Sequence, residues 1–455
     1  MSGKPITDQQ IRLYMKQRKQ NRTQVVAAAK AGLSERSARP MKQHYFSLSF
    51  YPTTDESISL LKQIVEPSVF EAGDKNKVRE TTINKRYDCL IRILSSVITL
   101  TQLDLNTGLY RGHKTGAYTD SPVPYRVFVF VSGYLVEQGY LVKVAGEQLE
   151  GKATAYYVTQ KLVDYCVSAE ITPKDFVLTH LVRARYPSQR DKKGKKIQGK
   201  SVTNISQSQD YQDQHRIVSG LNNYLNKHML SGVPFTGLYR SFSNYDDNKK
   251  ELTDGGRLYA EGGSYQLLNS AKRLQLKIDD EPVAEVDITA SHFTLICLVA
   301  SMLDGRVIPV DSNDDPYQIK GIPRAVVKQW IVAYSAKLKP LTRWSTDSVG
   351  KLREKHIKLA DYPVKDVGKA IVSKYPFLET LSSANVTWGY LQRREADAII
   401  MTMQRLSQEH DVPAYPVHDS LIVKRSDVSL VKRIMKESFE SGIGFTPVLK
   451  VDVAD

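Results

Sequence analysis

The sequence predicts an α+β fold, a mixed antiparallel sheet backed by helices and preceded by helical segments, and three stretches carry that prediction. Pro282–Val299, PVAEVDITASHFTLICLV, opens with β-branched Val283, Val286 and Ile288, as a buried strand does. From Ser291 the apolar spacing lengthens to that of a helix. Tyr415–Val423, YPVHDSLIV, is apolar on both sides of His418-Asp419-Ser420 and predicts a hairpin with a His-Asp turn. Tyr390–Gln408 is amphipathic, with Leu391, Ala398, Ile399, Met403 and Leu406 in its buried stripe and Glu395 and Asp397 as surface charges. A helix at Val428–Glu440 and a closing strand at Thr446–Val453 complete the sheet and its cover.

Four regions precede or contain these stretches. Residues 1–43 read as a helix-turn-helix: a first helix with Ile11, Leu13, Tyr14 and Met15, a second capped by Thr23, a turn at Gly32, and a third capped by Ser34 and ended by Pro40. Arg36 and Arg39 lie on that third helix, the one such motifs place in a major groove. Packing as a plain helical hairpin is the alternative. Residues 44–165 hold an apolar-periodic helix at Asn84–Leu103, a polar loop at Asn106–Pro124, a helix at Val127–Gln138 ended by Gly139, and strands at Tyr140–Val144 and Thr154–Val158. Helix followed by hairpin is the winged-helix pattern. Residues 166–238 read as a mostly helical, thumb-like region broken by the basic loop Ser188–Lys200, whose Lys192, Lys193, Lys195 and Lys196 suit a phosphate backbone or a solvated tip. Residues 239–455 hold the sheet.

Chemistry concentrates in that last region. Asp287 sits inside an apolar strand, where a lone carboxylate is too costly unless paired or bound to metal. Asp419 sits in the hairpin turn. Two aspartates on neighbouring strands can hold two Mg²⁺ ions, with Mn²⁺ as a substitute, and such a pair clamps both oxygens of an in-line phosphoryl displacement. Taken singly, Asp287 also fits a helix cap and Asp419 a turn residue. Arg324 and Lys328 are four apart in PRAVVKQWIVAYSAK, on one face of a helix that Pro323 begins, and two cations there suit a triphosphate or a solvated face.

The order of these pieces resembles the right-hand polymerases that join bacterial DNA polymerase I to the phage single-subunit RNA polymerases. That family has an aspartate strand (Asp287), then an Arg-x-x-x-Lys fingers helix (Arg324, Lys328), then a Val-His-Asp hairpin (Val417, His418, Asp419). Upstream, GGRLYAEGGSYQLLNSAKR (Gly255–Arg273) is similar to the family's Gly-Arg-Leu…Gln…Arg segment, and to a segment of prophage and mobile-element proteins. The resemblance covers about half the chain. It implies palm and fingers, a template-directed nucleotidyltransferase with catalytic Asp287, Asp419, Lys328 and His418, and nucleic-acid or nucleotide contacts from Arg257, Gln266 and Arg273. The first segment resembles the DNA-binding end of a class of transposases.

Three positions depart from the family. His292 stands where its DNA enzymes carry a 2′-OH-excluding glutamate. Ser420 follows the His-Asp pair as in the phage RNA polymerases. Ala336 replaces an aromatic residue of the fingers helix, with Tyr334 nearby. The first two favour tolerance of ribonucleotides. The expected partners are DNA template, nucleoside triphosphates, and an RNA product or primer. Alternatives are a DNA polymerase or primase of a replication initiator, a DNA-binding regulator without catalysis on a polymerase-like fold, and a transposition accessory protein. No exonuclease-like acidic motif stands upstream, so no proofreading is expected.

Composition agrees with a polyanionic partner. The net charge is +15, which suits nucleic acid. Cys89, Cys166 and Cys297 are scattered without metal spacing, as in a reducing compartment. With no apolar membrane-length run and a polar, basic start, the expectation is a cytoplasmic protein without membrane contact.

Overall fold

The computed structural model describes residues 43–71, 78–118, 121–145, 153–192, 196–202, 205, 208–304, 315–336, 338–379, 381, 387–444 and 446–454. The helix-turn-helix expected before residue 43, with Arg36 and Arg39, lies outside them, as do Lys193 and Lys195. Contacts group the chain into two units. One comprises Met1–Leu181, Pro234–Leu238 and Ala260–Leu267; the other comprises Val182–Val233, Tyr239–Tyr259 and Leu268–Asp455. The contacts thus divide the expected thumb-like region at Leu181 and join most of it to the unit that holds the sheet of residues 239–455.

The first unit runs β1 (Gln43–Tyr45), β2 (Phe50–Pro52), α1 (Asp55–Lys62), α2 (Pro67–Glu71), α3 (Glu80–Thr101), β3 (Gly108–Arg111), α4 (Tyr125–Glu137), β4 (Leu141–Val144), β5 (Thr154–Val158), α5 (Gln160–Ser168) and β6 (Phe176–Leu178). The apolar period of α3 buries Leu90, Ile91, Ile93, Leu94, Val97 and Leu100, and Gln102 ends the helix in the left-handed region. The expected helix and hairpin form as α4, β4 and β5, with β4 and β5 antiparallel. They join a larger sheet of order β1-β3-β5-β4. The stretch expected to be a polar loop contributes β3 to that sheet. Its GLYR is short, and its two neighbours, β1 and β5, are remote in sequence.

The second unit begins with β7 (Val182–Ala184), the hairpin β8 (Gln189–Arg190) and β9 (Lys196–Ile197), then α6 (Gln209–Leu225) and β10 (Leu230–Ser231). The expectation that residues 166–238 are mostly helical is therefore corrected: α6 is the one long helix among those described. Its strands escape sequence reading because β6 pairs with β2 and β7 with β11 (Leu238–Ser243), both far along the chain. The basic loop folds back as the β8–β9 ladder.

Next come β12 (Asp254–Ala260), α7 (Ser270–Arg273), β13 (Lys277–Ile278) and β14 (Glu281–Ile288). Asp279 and Asp280, both at positive φ, form the tight turn between β13 and β14. Then follow α8 (Ser291–Asp304), α9 (Arg324–Ser335), α10 (Thr346–Glu354), α11 (Val364–Lys374), α12 (Trp388–Glu409), β15 (Tyr415–Val417), β16 (Ser420–Lys424), α13 (Val428–Ile443) and β17 (Leu449–Val453). The strand, helix and hairpin expectations hold here.

The sheet runs β10-β13-β14-β16-β15, with β17 on the other side of β14. Strand alternation divides it into two faces. Ala284, Val286, Leu421 and Val423 are buried on one, where α13 packs and α12 packs behind it. The other carries Glu285, Asp287, Ser420, Lys450 and Asp452, as the register Asp287↔Ser420, Asp287↔Lys450 and Glu285↔Asp452 requires. Helices α8 to α11 share a separate core built around Phe293, Trp330, Ile331, Leu352 and Ile371.

Candidate active site

Two aspartates meet at one end of the polar face. Asp287 is the penultimate residue of β14, directly opposite Ser420. Asp419 immediately precedes Ser420 in the two-residue turn between Val417 and Ser420, which face each other across β15 and β16. His418, at φ 57°, holds that turn in the left-handed region. Such a conformation in a non-glycine residue costs about 1–3 kcal/mol and survives where the surrounding ladder dictates it.

The field at Asp287 is acidic. Burial, then Asp419, then Glu285 raise its carboxyl from 3.8 to about 7, and Lys328 on α9 opposes them. Among the described residues neither Asp287 nor Asp419 has a hydrogen-bond or ion-pair partner. Like charges crowded together and left unpaired are what a divalent cation relieves. No group of three or more His, Cys, Asp or Glu side chains that could hold a metal ion occurs among the described residues. Carboxylate oxygens of this kind are the donors that Mg²⁺ takes when its remaining positions go to water and phosphate oxygens. The donor set fits.

Around the aspartates stand groups that sequence reading missed. Glu285, two residues before Asp287 on the same face, is buried and gripped by Arg273 through Nε at 3.0 Å and a terminal nitrogen at 2.8 Å. Ser420 Oγ donates to the same carboxylate at 2.7 Å. Glu395 corrects a second expectation: it is no surface charge but is buried on α12, where it accepts from Ser291 Oγ and Arg257. Asp397 is only partly exposed and binds Arg240 and Arg393. The signal for Glu285 was its period-two spacing from Asp287; for Glu395 it was the step of four from Leu391, which puts both on one face.

The other expected residues are placed as follows. Gly255 and Gly256 both take positive φ and set the local course of β12 just before Arg257. Arg257 is ion-paired to Glu395, and Arg273 to Glu285, so both spend their hydrogen bonds inside the protein. Gln266 belongs to the first unit, where its side chain accepts from the Ala260 N–H at 2.9 Å. Lys328 lies within the field of Asp287. Arg324, one turn earlier, pairs with Asp315 and sits 5.1 Å from the Tyr317 ring centroid. His418 is exposed and 5.8 Å from the Tyr259 ring. Desolvation and Arg257 lower its pKa against the pull of Asp419.

Tyr334, expected as a stand-in for the missing aromatic, instead packs in the core of α8 to α11. It stacks on Trp330 at 5.1 Å and donates its hydroxyl to the Leu378 carbonyl at 2.6 Å. A buried phenol with a satisfied hydroxyl is a core residue, and this corrects the expectation that it faces a nucleotide. His292 is the second residue of α8, and its side chain lies outside the described set, as does that of Lys196. Lys192 sits between β8 and β9.

No helix among the described residues is long and apolar enough to cross a membrane. No family model and no curated protein matches the chain. Among solved structures, the chain is similar to the polymerase domain of Pol1 from M. smegmatis, solved in complex with DNA primer-template and dNTP. The TM-score is 0.28 at 10% identity, and the match covers 59% of this chain and 57% of that one.

Proposed function

We propose that this chain is a template-directed nucleotidyltransferase of a phage or mobile element, dependent on divalent metal and tolerant of ribonucleotides. The observation that carries the reading is the unpaired aspartate pair at the end of β14 and in the β15–β16 turn, with Lys328 within the field of Asp287. Asp287 and Asp419 would hold Mg²⁺, or Mn²⁺ in its place. Bound there, the ions supply charge stabilisation of the attacking and leaving oxygens. A 3′-hydroxyl gives its proton to solvent and attacks the α-phosphorus of a nucleoside triphosphate, the new P–O bond forms as the bond to the β-phosphate oxygen breaks, and pyrophosphate leaves. Lys328 neutralises the triphosphate and donates a proton to the departing pyrophosphate. Arg324, one turn away, adds a second cation once it exchanges Asp315 for phosphate. His418, exposed beside Asp419, positions the strand end. Residues 1–43, with Arg36 and Arg39, bind duplex DNA, and Lys192, Lys193, Lys195 and Lys196 of the basic stretch 188–200 follow a phosphate backbone.

The test is primer extension with labelled dNTPs and rNTPs, on DNA and RNA templates, with and without primer. Incorporation should require Mg²⁺ or Mn²⁺ and fall by several orders of magnitude in Asp287→Asn and Asp419→Asn. Near-normal incorporation by either folded variant refutes the assignment. A wild type that binds DNA yet incorporates nothing under any of these conditions supports the regulator instead.

A further inference from the structure

Glu395 is a buried carboxylate where the helix has no need of one. Its neighbours on the stripe of α12 are Leu391, Ala398 and Ile399, all buried. An apolar residue there would continue the stripe, and a buried ion pair is often no more stable than apolar side chains of the same volume. The charge therefore calls for a local reason, and its partners supply one. Ser291, which donates to Glu395, is the first residue of α8, four positions after Asp287. Arg257 reaches the same carboxylate through Nε at 3.1 Å and a second nitrogen, and it lies in the field of both Asp419 and His418.

Resting on the metal-dependent reading above, we propose that Glu395 is a positioning residue that pins and neutralises Arg257. The aspartate pair thereby keeps its affinity for divalent cations, while Arg257 is withheld from polynucleotide phosphates. Without that neutralisation, a guanidinium in the field of Asp419 would oppose the cations at the carboxylates. It would also be released to bind phosphate, for which its planar fork is suited. Glu395→Gln tests this closely, since glutamine keeps the shape and an acceptor for Ser291 but carries no charge.

Two titrations separate this from a packing role. Free Mn²⁺ is followed by electron paramagnetic resonance without nucleotide, and a labelled single-stranded oligonucleotide is followed by anisotropy in EDTA. Glu395→Gln should weaken Mn²⁺ binding about threefold to tenfold and tighten oligonucleotide binding about threefold, as expected for one added charge at short range. Adding Arg257→Gln to Glu395→Gln should return both affinities to near wild type, because the released guanidinium is then gone. Unchanged affinities, or a loss of both in Glu395→Gln, overturn the inference. If Glu395→Gln fails to fold, Glu395→Leu decides: unchanged Mn²⁺ binding in that variant overturns it. A wild type that binds no Mn²⁺ refutes the metal reading and this inference together. Binding that survives without these shifts refutes the inference alone.

Discussion

Replacing Asp287 with asparagine should stabilise the metal-free protein while abolishing its chemistry. In the fold the carboxyl is raised from 3.8 to about 7, by burial and then by Asp419 and Glu285. At 1.36 kcal/mol per pKa unit, that displacement corresponds to about 4 kcal/mol between the charged and neutral forms. The residue is half-buried, so screening by water reduces the expected effect to about 1–2 kcal/mol. The sign follows from linkage. Because the folded pKa lies above the unfolded one, the folded state binds the extra proton between pH 4 and 7. The stability this group contributes is present below pH 4 and is lost as pH rises through 7. Asparagine does not titrate, so the gap between variant and wild type isolates this one group.

The assay is urea denaturation in EDTA at pH 5, 6, 7 and 8, followed by circular dichroism. The stability advantage of Asp287→Asn should grow steadily from pH 5 to 7 and then level off. Millimolar Mg²⁺ at pH 8 should narrow the gap by stabilising the wild type alone, through binding to the folded state. A pH-independent gap, or a variant less stable than wild type at pH 8, would show that the carboxylates do not strain one another. The electrostatic basis of the metal assignment would then fail.

Three further outcomes follow from the same geometry. Arg273→Met leaves Glu285 buried and charged with only Ser420 for company, and should cost about 3–5 kcal/mol in urea denaturation; adding Glu285→Leu should restore most of it. The ratio of kcat/KM for ribonucleotide over deoxyribonucleotide should fall in His292→Glu. It should stay unchanged in Tyr334→Phe, which instead loses about 1 kcal/mol of stability with its bond to Leu378; a ratio that moves with Tyr334 would return that ring to the site. The double variant Arg36→Gln, Arg39→Gln should reduce the slope of log affinity for duplex DNA against log salt by about 2; an unchanged slope would make residues 1–43 a packing element.

What could be read from the sequence, and what could not, divides by the range of the interaction. Asp287 stood out because one carboxylate interrupts a β-branched run, and a strand announces its own burial. The His-Asp turn stood out for the same local reason: apolar residues on both sides fix the register of β15 and β16, so the turn residues follow. The long helices α3 and α12 were legible because their apolar period persists for several turns. The short strands β3, β6 and β7 were not. Each is three or four residues long and is held by a ladder whose other half lies far along the chain, information that no window contains.

The buried charges were hidden for a related reason, and they matter most to the site. A glutamate on an amphipathic helix is ordinarily solvated, so Glu395 looked like a surface charge until Arg257, 138 residues away, was placed against it. Arg257 and Arg273 look from sequence like hands extended to nucleic acid. In the fold each is held by a carboxylate, Glu395, which sequence reading took for a surface charge, for one and Glu285, which it passed over, for the other. Lys328 differs in kind: it acts on Asp287 through its field and closes no ion pair among the described residues. The arginines are thus spent on internal ion pairs, and the lysine is not. Exchanging these roles by substituting Lys328 should impair turnover far more than it impairs folding, whereas substituting Arg273 should do the reverse.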